Sequence, residues 1–303
     1  MIMTQRGSGA PWLQRSWDSR AACNFIGGGS GAGLLVAATA AKFAGWPYFP
    51  AGMLAIALIC FGLSMVWLEI GRPFRAVNVF FHPQTSWMSR EAILALPLLG
   101  FAGAAVIIDQ NVVTLPAQIS LPATPFALTS AVLALAFLCS QARILRASQG
   151  VPTWREPSLQ TVIVVTGIVE GLGLLLVLGL FIVMPPAWII PAAIVALVVR
   201  AAAWEHYRHR VTLTAPEPAV AALNRASVVI HLLGHLVAAA LLIGSLMLPT
   251  SVVPAAVAGL SLFATGAWLK FVVVTRAAFT QGFSIPHVPV RGRVSTALPA
   301  TYE

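Results

Sequence analysis

The chain has 303 residues, 58% of them hydrophobic and only 9% charged, with a formal net charge of +9. Soluble domains carry about 25% charged residues, so a water-soluble chain of this size would lack the polar side chains to cover its surface, whereas lipid solvates apolar side chains directly. The basic residues form no stripe or run of the kind that binds nucleic acid; they fall between apolar segments, as in a membrane protein with one cationic side.

The first 20 residues, MIMTQRGSGAPWLQRSWDSR, are polar. They lack the short apolar core after a basic start that marks a signal peptide, so the first apolar segment is expected to persist as a span. Eight segments are long enough to cross a bilayer: 21–43, 50–71, 89–112, 122–142, 160–184, 186–204, 226–248 and 251–275. Only Met184–Trp188 divides the fifth from the sixth, and its Pro185–Pro186 pair predicts a tight turn. The expected fold is an all-α integral membrane protein of eight transmembrane helices, grouped as two four-helix bundles. A transmembrane domain over 21–275 is flanked by cytoplasmic segments 1–20 and 276–303.

Lysine and arginine sort by side. The N-terminal tail and the connections after even-numbered spans hold 17 of them, counting Arg200 in the connection between spans six and seven and Lys270 with the C-terminal region. Lys42 stands alone on the other side. This asymmetry predicts cytoplasmic termini and an even number of spans.

Within the first span lies IGGGSGAG (Ile26–Gly33). A dinucleotide fingerprint needs a strand before it and a helix after it; inside a transmembrane stretch, small residues instead let helices approach closely. Cys23, Cys60 and Cys139 are far apart in sequence and form no metal-ligand pattern, so the chain alone is not expected to hold an iron–sulfur cluster or another metal.

Between the second and third spans, WLEIGRPFRAVNVFFHPQTSWMSRE (Trp67–Glu91) concentrates three arginines, two glutamates and a histidine. Charge beside hydrocarbon is costly and needs a reason. Glu69, Arg72, Arg75, Arg90 and Glu91, with the rings of Trp67 and Trp87, read either as interfacial snorkelling with ordinary ion pairs or as one partly buried site. Such a site suits a quinone. Aromatic walls fit the ring, arginines donate to its carbonyls, and a carboxylate exchanges protons.

Glu170 lies near the middle of the fifth span and reads as part of a proton path or as a neutral acid packed between helices. Asp109, at the far end of the third span, reads as interfacial or as a step on the same path. His231 and His235 share a face of the seventh span, for packing, for hydrogen bonds to groups such as Glu170, or for haem. On the cytoplasmic side, Val151–Pro157 and Phe279–Arg293 mix proline, aromatic and arginine residues, as a docking surface for a soluble partner would.

The pair EIGRPFRA and SWMSRE, together with VPTW (Val151–Trp154) and QGF…PHVPVRG near the end, resembles the membrane anchor subunits of molybdopterin oxidoreductases. The likeness is greatest to the dimethyl sulfoxide reductase anchor family, with the polysulfide reductase membrane subunit as a wider relative. The resemblance implies a haem-free anchor in the bacterial inner membrane that binds menaquinone or ubiquinone. It also implies a docked four-cluster iron–sulfur subunit and a catalytic subunit with a molybdenum or tungsten bis-pterin. Carried onto this chain, Glu91 takes the acidic position of the second motif, and Arg72, Arg75 and Arg90 match basic positions. The family's quinol-linked histidine falls on Glu69, a departure that keeps proton exchange but changes charge and reach. With the motifs on the cytoplasmic side, the resemblance implies oxidation of an internal substrate, such as sulfite or an aryl-acyl thioester, and reduction of quinone. A haem-bearing subunit and a proton or solute translocator are the competing expectations.

Overall fold

A computed structural model of the chain describes residues 10–69, 73–110, 122–247 and 251–282. Eight helices are long and apolar enough to cross a membrane: α1 (Ser19–Lys42), α2 (Tyr48–Glu69), α3 (Trp87–Asp109), α4 (Ala123–Ala147), α5 (Ser158–Leu178), α6 (Ile189–Thr212), α7 (Glu217–Met247) and α8 (Val253–Arg276). The described residues are all-helical, and the eight apolar helices are those of a multi-pass membrane protein. A 3-10 helix, Pro73–Phe81, lies between α2 and α3, and one helical turn, Pro152–Arg155, precedes α5.

Helix ends follow local chemistry. Asp18 caps α1, its carboxylate accepting from the Arg20 backbone N–H at 2.7 Å and pairing with the Arg20 guanidinium at 2.8 Å. That guanidinium holds the Asp18 carboxyl below the usual carboxylate range. Arg20 also donates to the Leu68 carbonyl at 3.0 Å, tying the start of α1 to the end of α2. Helix α5 stops at Leu178, short of the predicted 184, because residues 179–188 form the turn that carries the two prolines. Helix α6 runs on past 204 to Thr212, so Glu205, His206 and Arg208 are helical rather than part of a loop.

Helix α1 is the axis of the molecule. Of its most apolar window 83% is buried inside the protein, against 28–61% for the other spans. It packs against α2, α4, α5 and α8. Gly33 of α1 and Gly167 and Gly171 of α5 allow the backbones to touch: a Cβ on Gly33 would collide with the Gly167 carbonyl, and one on Gly171 with the Gly33 backbone. By contrast, a Cβ on Gly100 of α3 would meet nothing within 4 Å.

Two helices widen into π segments, Ile230–Val237 in α7 and Val272–Arg276 in α8. In each, side chains from elsewhere take backbone carbonyls, which is how irregular helix is tolerated at membrane depth. In α8, Trp154 Nε1 donates to the Val273 carbonyl at 2.8 Å and Gln14 Nε2 to Val274 at 3.3 Å.

The second π segment anchors a knot of chain at this end of the bundle. Leu13 and Phe279 form an antiparallel bridge, and Thr280 donates from its backbone to the Trp12 carbonyl at 2.9 Å. Thr153 Oγ1 donates to Ala277 at 3.0 Å, and the Tyr207 hydroxyl donates to the Thr153 carbonyl at 3.0 Å. The N-terminal segment, the α4–α5 connection, the end of α6 and the chain after α8 therefore meet on one side, as an even number of crossings requires. At the opposite end Lys42 of α1 forms an ion pair with Asp109 of α3, and Trp46 Nε1 donates to the Val183 carbonyl at 3.0 Å.

Candidate functional site

Glu91 sits in the first turns of α3, whose N-cap is Ser86: its hydroxyl accepts from the Ser89 N–H at 3.3 Å. Consecutive helical residues point about 100° apart, and this separates the two charges of the SRE motif. Arg90 turns outward. Its Nε donates to the Pro83 carbonyl at 2.7 Å and its Nη2 to Gln84 at 2.9 Å, and the guanidinium lies 4.1 Å from the centre of the Trp87 ring. Arg143 of α4 stands over the same ring at 5.3 Å. Arg90 thus folds the loop before α3, and with Trp87 it lines a shallow groove between α3 and α4.

Glu91 turns inward and is only 5% exposed. It closes the inner end of a cleft of about 560 Å³ between α2, α3 and the 3-10 helix. Helix α2 contributes Cys60 and Trp67, and the 3-10 helix contributes Phe74 and Phe80. The cleft opens at the side of the bundle, where Phe74 is 95% exposed. Behind Glu91 a smaller cavity of about 120 Å³ is shared with Glu69, Asn24 and Trp17.

The structure therefore brings together Trp67, Glu69 and Glu91. It places Trp87 and Arg90 on the neighbouring groove and Arg75 on the exposed 3-10 helix. Arg72 lies outside the described residues, as does the part of the expected docking stretch after Gly282. Within Val151–Pro157 the aromatic residue faces inward: Trp154 is 3% exposed, and its ring centre lies 4.9 Å from that of Trp17, the two rings tilted by 30°. That stretch braces the fold.

Residues that the sequence did not single out complete the site. Asn24 of α1 donates from Nδ2 to Glu91 Oε1 at 3.4 Å, and Gln141 of α4 donates from Nε2 to the Asn24 carbonyl at 3.2 Å. The signal for both was a lone amide within an apolar span.

A second set of polar groups occupies the bundle interior. Lys270 and Glu170 form an ion pair at 2.5 Å with both side chains fully buried, and Ser30 donates to Glu170 Oε2 at 2.8 Å. Arg200 is also fully buried. It donates from Nη2 to the Gly234 carbonyl at 2.6 Å, from Nη1 to Leu262 at 3.3 Å and from Nε to His235 Nε2 at 3.4 Å. Both cations belong to spans and not to the connection and terminal region where the charge count put them. Each has a local partner that solvates it, so the cost of depth is met. Lys270 was legible as the single charge in ATGAWLKFVVV.

The histidines face Arg200 and Glu205, while Glu170 is held by Lys270 and Ser30. An arginine N–H only donates, so His235 Nε2 accepts and its proton sits on Nδ1. His235 then donates to His231 Nδ1 at 3.0 Å, and His231 Nε2–H donates to Glu205 Oε1 at 2.6 Å. Every proton in this chain points away from Arg200 and toward the half-exposed Glu205.

No protein-family model matches the chain, and no curated protein matches its sequence.

Proposed function

We propose that the chain is the quinone-reactive membrane anchor of a molybdenum or tungsten bis-pterin oxidoreductase. It passes electrons between a four-cluster iron–sulfur subunit and the quinone pool, with no haem or metal of its own. One observation carries this reading: an apolar, aromatic-walled cleft opening at the side of the bundle and ending on a buried carboxylate. Pockets for flat apolar ligands have such walls with a few convergent polar groups. A bound quinone would supply redox chemistry that both accepts electrons and takes up protons. Trp67, Phe74 and Phe80 would flank its ring and tail, and Glu91, steadied by Asn24, would hold a proton at Oε1 or Oε2 for the headgroup. Glu69, in the cavity behind, gives that proton a way toward the aqueous boundary.

The same reading places both termini in the cytoplasm, beside the docked iron–sulfur and catalytic subunits, in a bacterial inner membrane. With Arg200 and Lys270 removed from the count, fifteen basic residues still oppose Lys42 alone. The contacts α1–α2, α2–α3 and α3–α4, and then α5–α6, α5–α8 and α7–α8, favour two four-helix groups that meet through α1 and α5. Oxidation of a cytoplasmic substrate with reduction of quinone fits this orientation.

In the native complex Glu91→Gln is expected to leave assembly intact and to lower quinone-coupled turnover about a hundredfold, the usual loss when a general acid–base group is removed. Turnover and quinone affinity both at wild-type level would take Glu91 out of the mechanism. The buried Lys270–Glu170 pair favours a second reading, proton or solute translocation. Gentle solubilisation separates the two: a chain that emerges with no iron–sulfur protein supports translocation. A haem band in the absorption spectrum of the purified chain would overturn the haem-free assignment.

A further inference from the structure

The glycine run of α1 does more than admit neighbouring backbones. A Cβ on Gly28 would collide with Gln141 Nε2, and one on Gly29 would collide with Lys270 Nζ while standing 3.5 Å from Gln141 Oε1. The Gln141 amide and the Lys270 ammonium thus occupy adjoining positions in one glycine-lined recess. Across the bundle, a Cβ on Gly62 of α2 would stand 3.3 Å from Asn24 Oδ1, and one on Gly266 of α8 would stand 2.5 Å from Glu170 Oε1. Polar groups therefore follow one another from the cleft to the centre: Glu91, Asn24, Gln141, Lys270, Glu170, Ser30.

Three atoms along this line are buried with no protein donor or acceptor among the described residues: Asn24 Oδ1, Gln141 Oε1 and Glu170 Oε1. Buried polar atoms are satisfied in folded proteins, by ordered water where protein groups do not serve. Orphans clustered on one line mark that line as a place for water.

We infer that Asn24 and Gln141 join Glu91 to the Lys270–Glu170 pair in one buried proton track, in which the pair reloads the cleft carboxylate. This rests on the reading of the cleft as a quinone site. A proton leaves Lys270 Nζ and reaches a Glu91 carboxylate oxygen through water held by the two amides. The neutral amine and the Glu170 carboxylate then carry one negative charge, and a proton from the aqueous side restores the pair. The groups that face Glu91 are Asn24 from α1, Gln141 from α4, and Glu69 and Cys60 from α2, while Arg90 of α3 turns away. Those that face the pair are Ser30 from α1 and Arg200 from α6.

The test uses the purified full chain in lipid discs. Infrared spectroscopy follows the Glu91 carboxyl band, assigned by its loss in Glu91→Gln, across a pH titration. Lys270→Met removes the cation, and Glu170→Gln removes the anion with little change of shape. If the track exists, the Glu91 midpoint moves in opposite senses in these two variants, by about one pH unit, a tenfold change in proton affinity. Lys270→Arg leaves it in place, and Gln141→Leu abolishes both shifts. Where Lys270→Met does not fold, Glu170→Gln carries the comparison with and without Gln141. An unmoved midpoint in folded variants overturns the inference, as do shifts that survive Gln141→Leu at full size.

In the same samples a short-tailed quinone analogue is titrated by quenching of tryptophan fluorescence. Coupling without quinone binding upholds the track and removes the quinone reading. Binding without coupling removes the track.

Discussion

Single residues decide what the interior of this protein is. A buried ion pair contributes little net stability, but removing one partner costs about 3–5 kcal/mol because the other charge is left uncompensated. Lys270 and Glu170 are therefore held to each other, and their neighbours are arranged around that constraint. Arg200 is handled differently, by two backbone carbonyls and an imidazole. This arrangement sets the tautomers of the two histidines: His235 is expected to carry its proton on Nδ1 and His231 on Nε2. Nitrogen NMR of the histidine-labelled chain in lipid at neutral pH reads both directly, and Arg200→Leu is expected to release the His235 preference. A His235 resonance with its proton on Nε2 in the wild type would refute the hydrogen-bond order given above. These residues were only partly legible in the sequence. Glu170 stood out by its depth, but its partner lies 100 positions away and was counted with the C-terminal region. Nothing in a linear pattern pairs two charges so far apart.

At the scale of elements, hydropathy located all eight helices and misjudged several ends. The overruns of α6 and α7 have one cause. Apolar length marks where a chain meets lipid, but a helix continues as long as its backbone hydrogen bonds do, so α6 runs past its apolar stretch to Thr212 and α7 starts ahead of its own at Glu217. The π segments were invisible for a related reason, since their carbonyls take donors from distant parts of the chain: Arg200 for α7, and Trp154 and Gln14 for α8. The glycine run was legible as close packing. Gly33→Val is expected to destabilise the detergent-solubilised chain by about 1–3 kcal/mol, the usual cost of overpacking, whereas Gly100→Val, which faces open space, is expected to leave the thermal midpoint unchanged. Equal melting of the two variants would show that the α1–α5 contact is looser than described.

For the whole molecule, the number of crossings and the side of the termini form one problem. The knot that joins residues 12–14 to residues 278–280 puts these two segments on one face, and the basic residues are the ground for the proposed cytoplasmic orientation of that face. Cysteines introduced one at a time at Gln149 and at Ala187 test this in oriented vesicles. Gln149→Cys is expected to react with an impermeant reagent from the cytoplasmic side only, and Ala187→Cys from the opposite side only. The reverse pattern would invert the protein in the membrane and separate the cleft from a cytoplasmic partner. By itself the sequence determined the solvent, the eight crossings and the asymmetry of charge, because each follows from composition and local period. Only the tertiary structure decided that Glu91 and Arg90 face different ways, that Trp154 braces the fold, and that Lys270 meets Glu170. Those facts depend on helix rotation and on which helices touch, and contacts between distant segments leave no local trace in the chain.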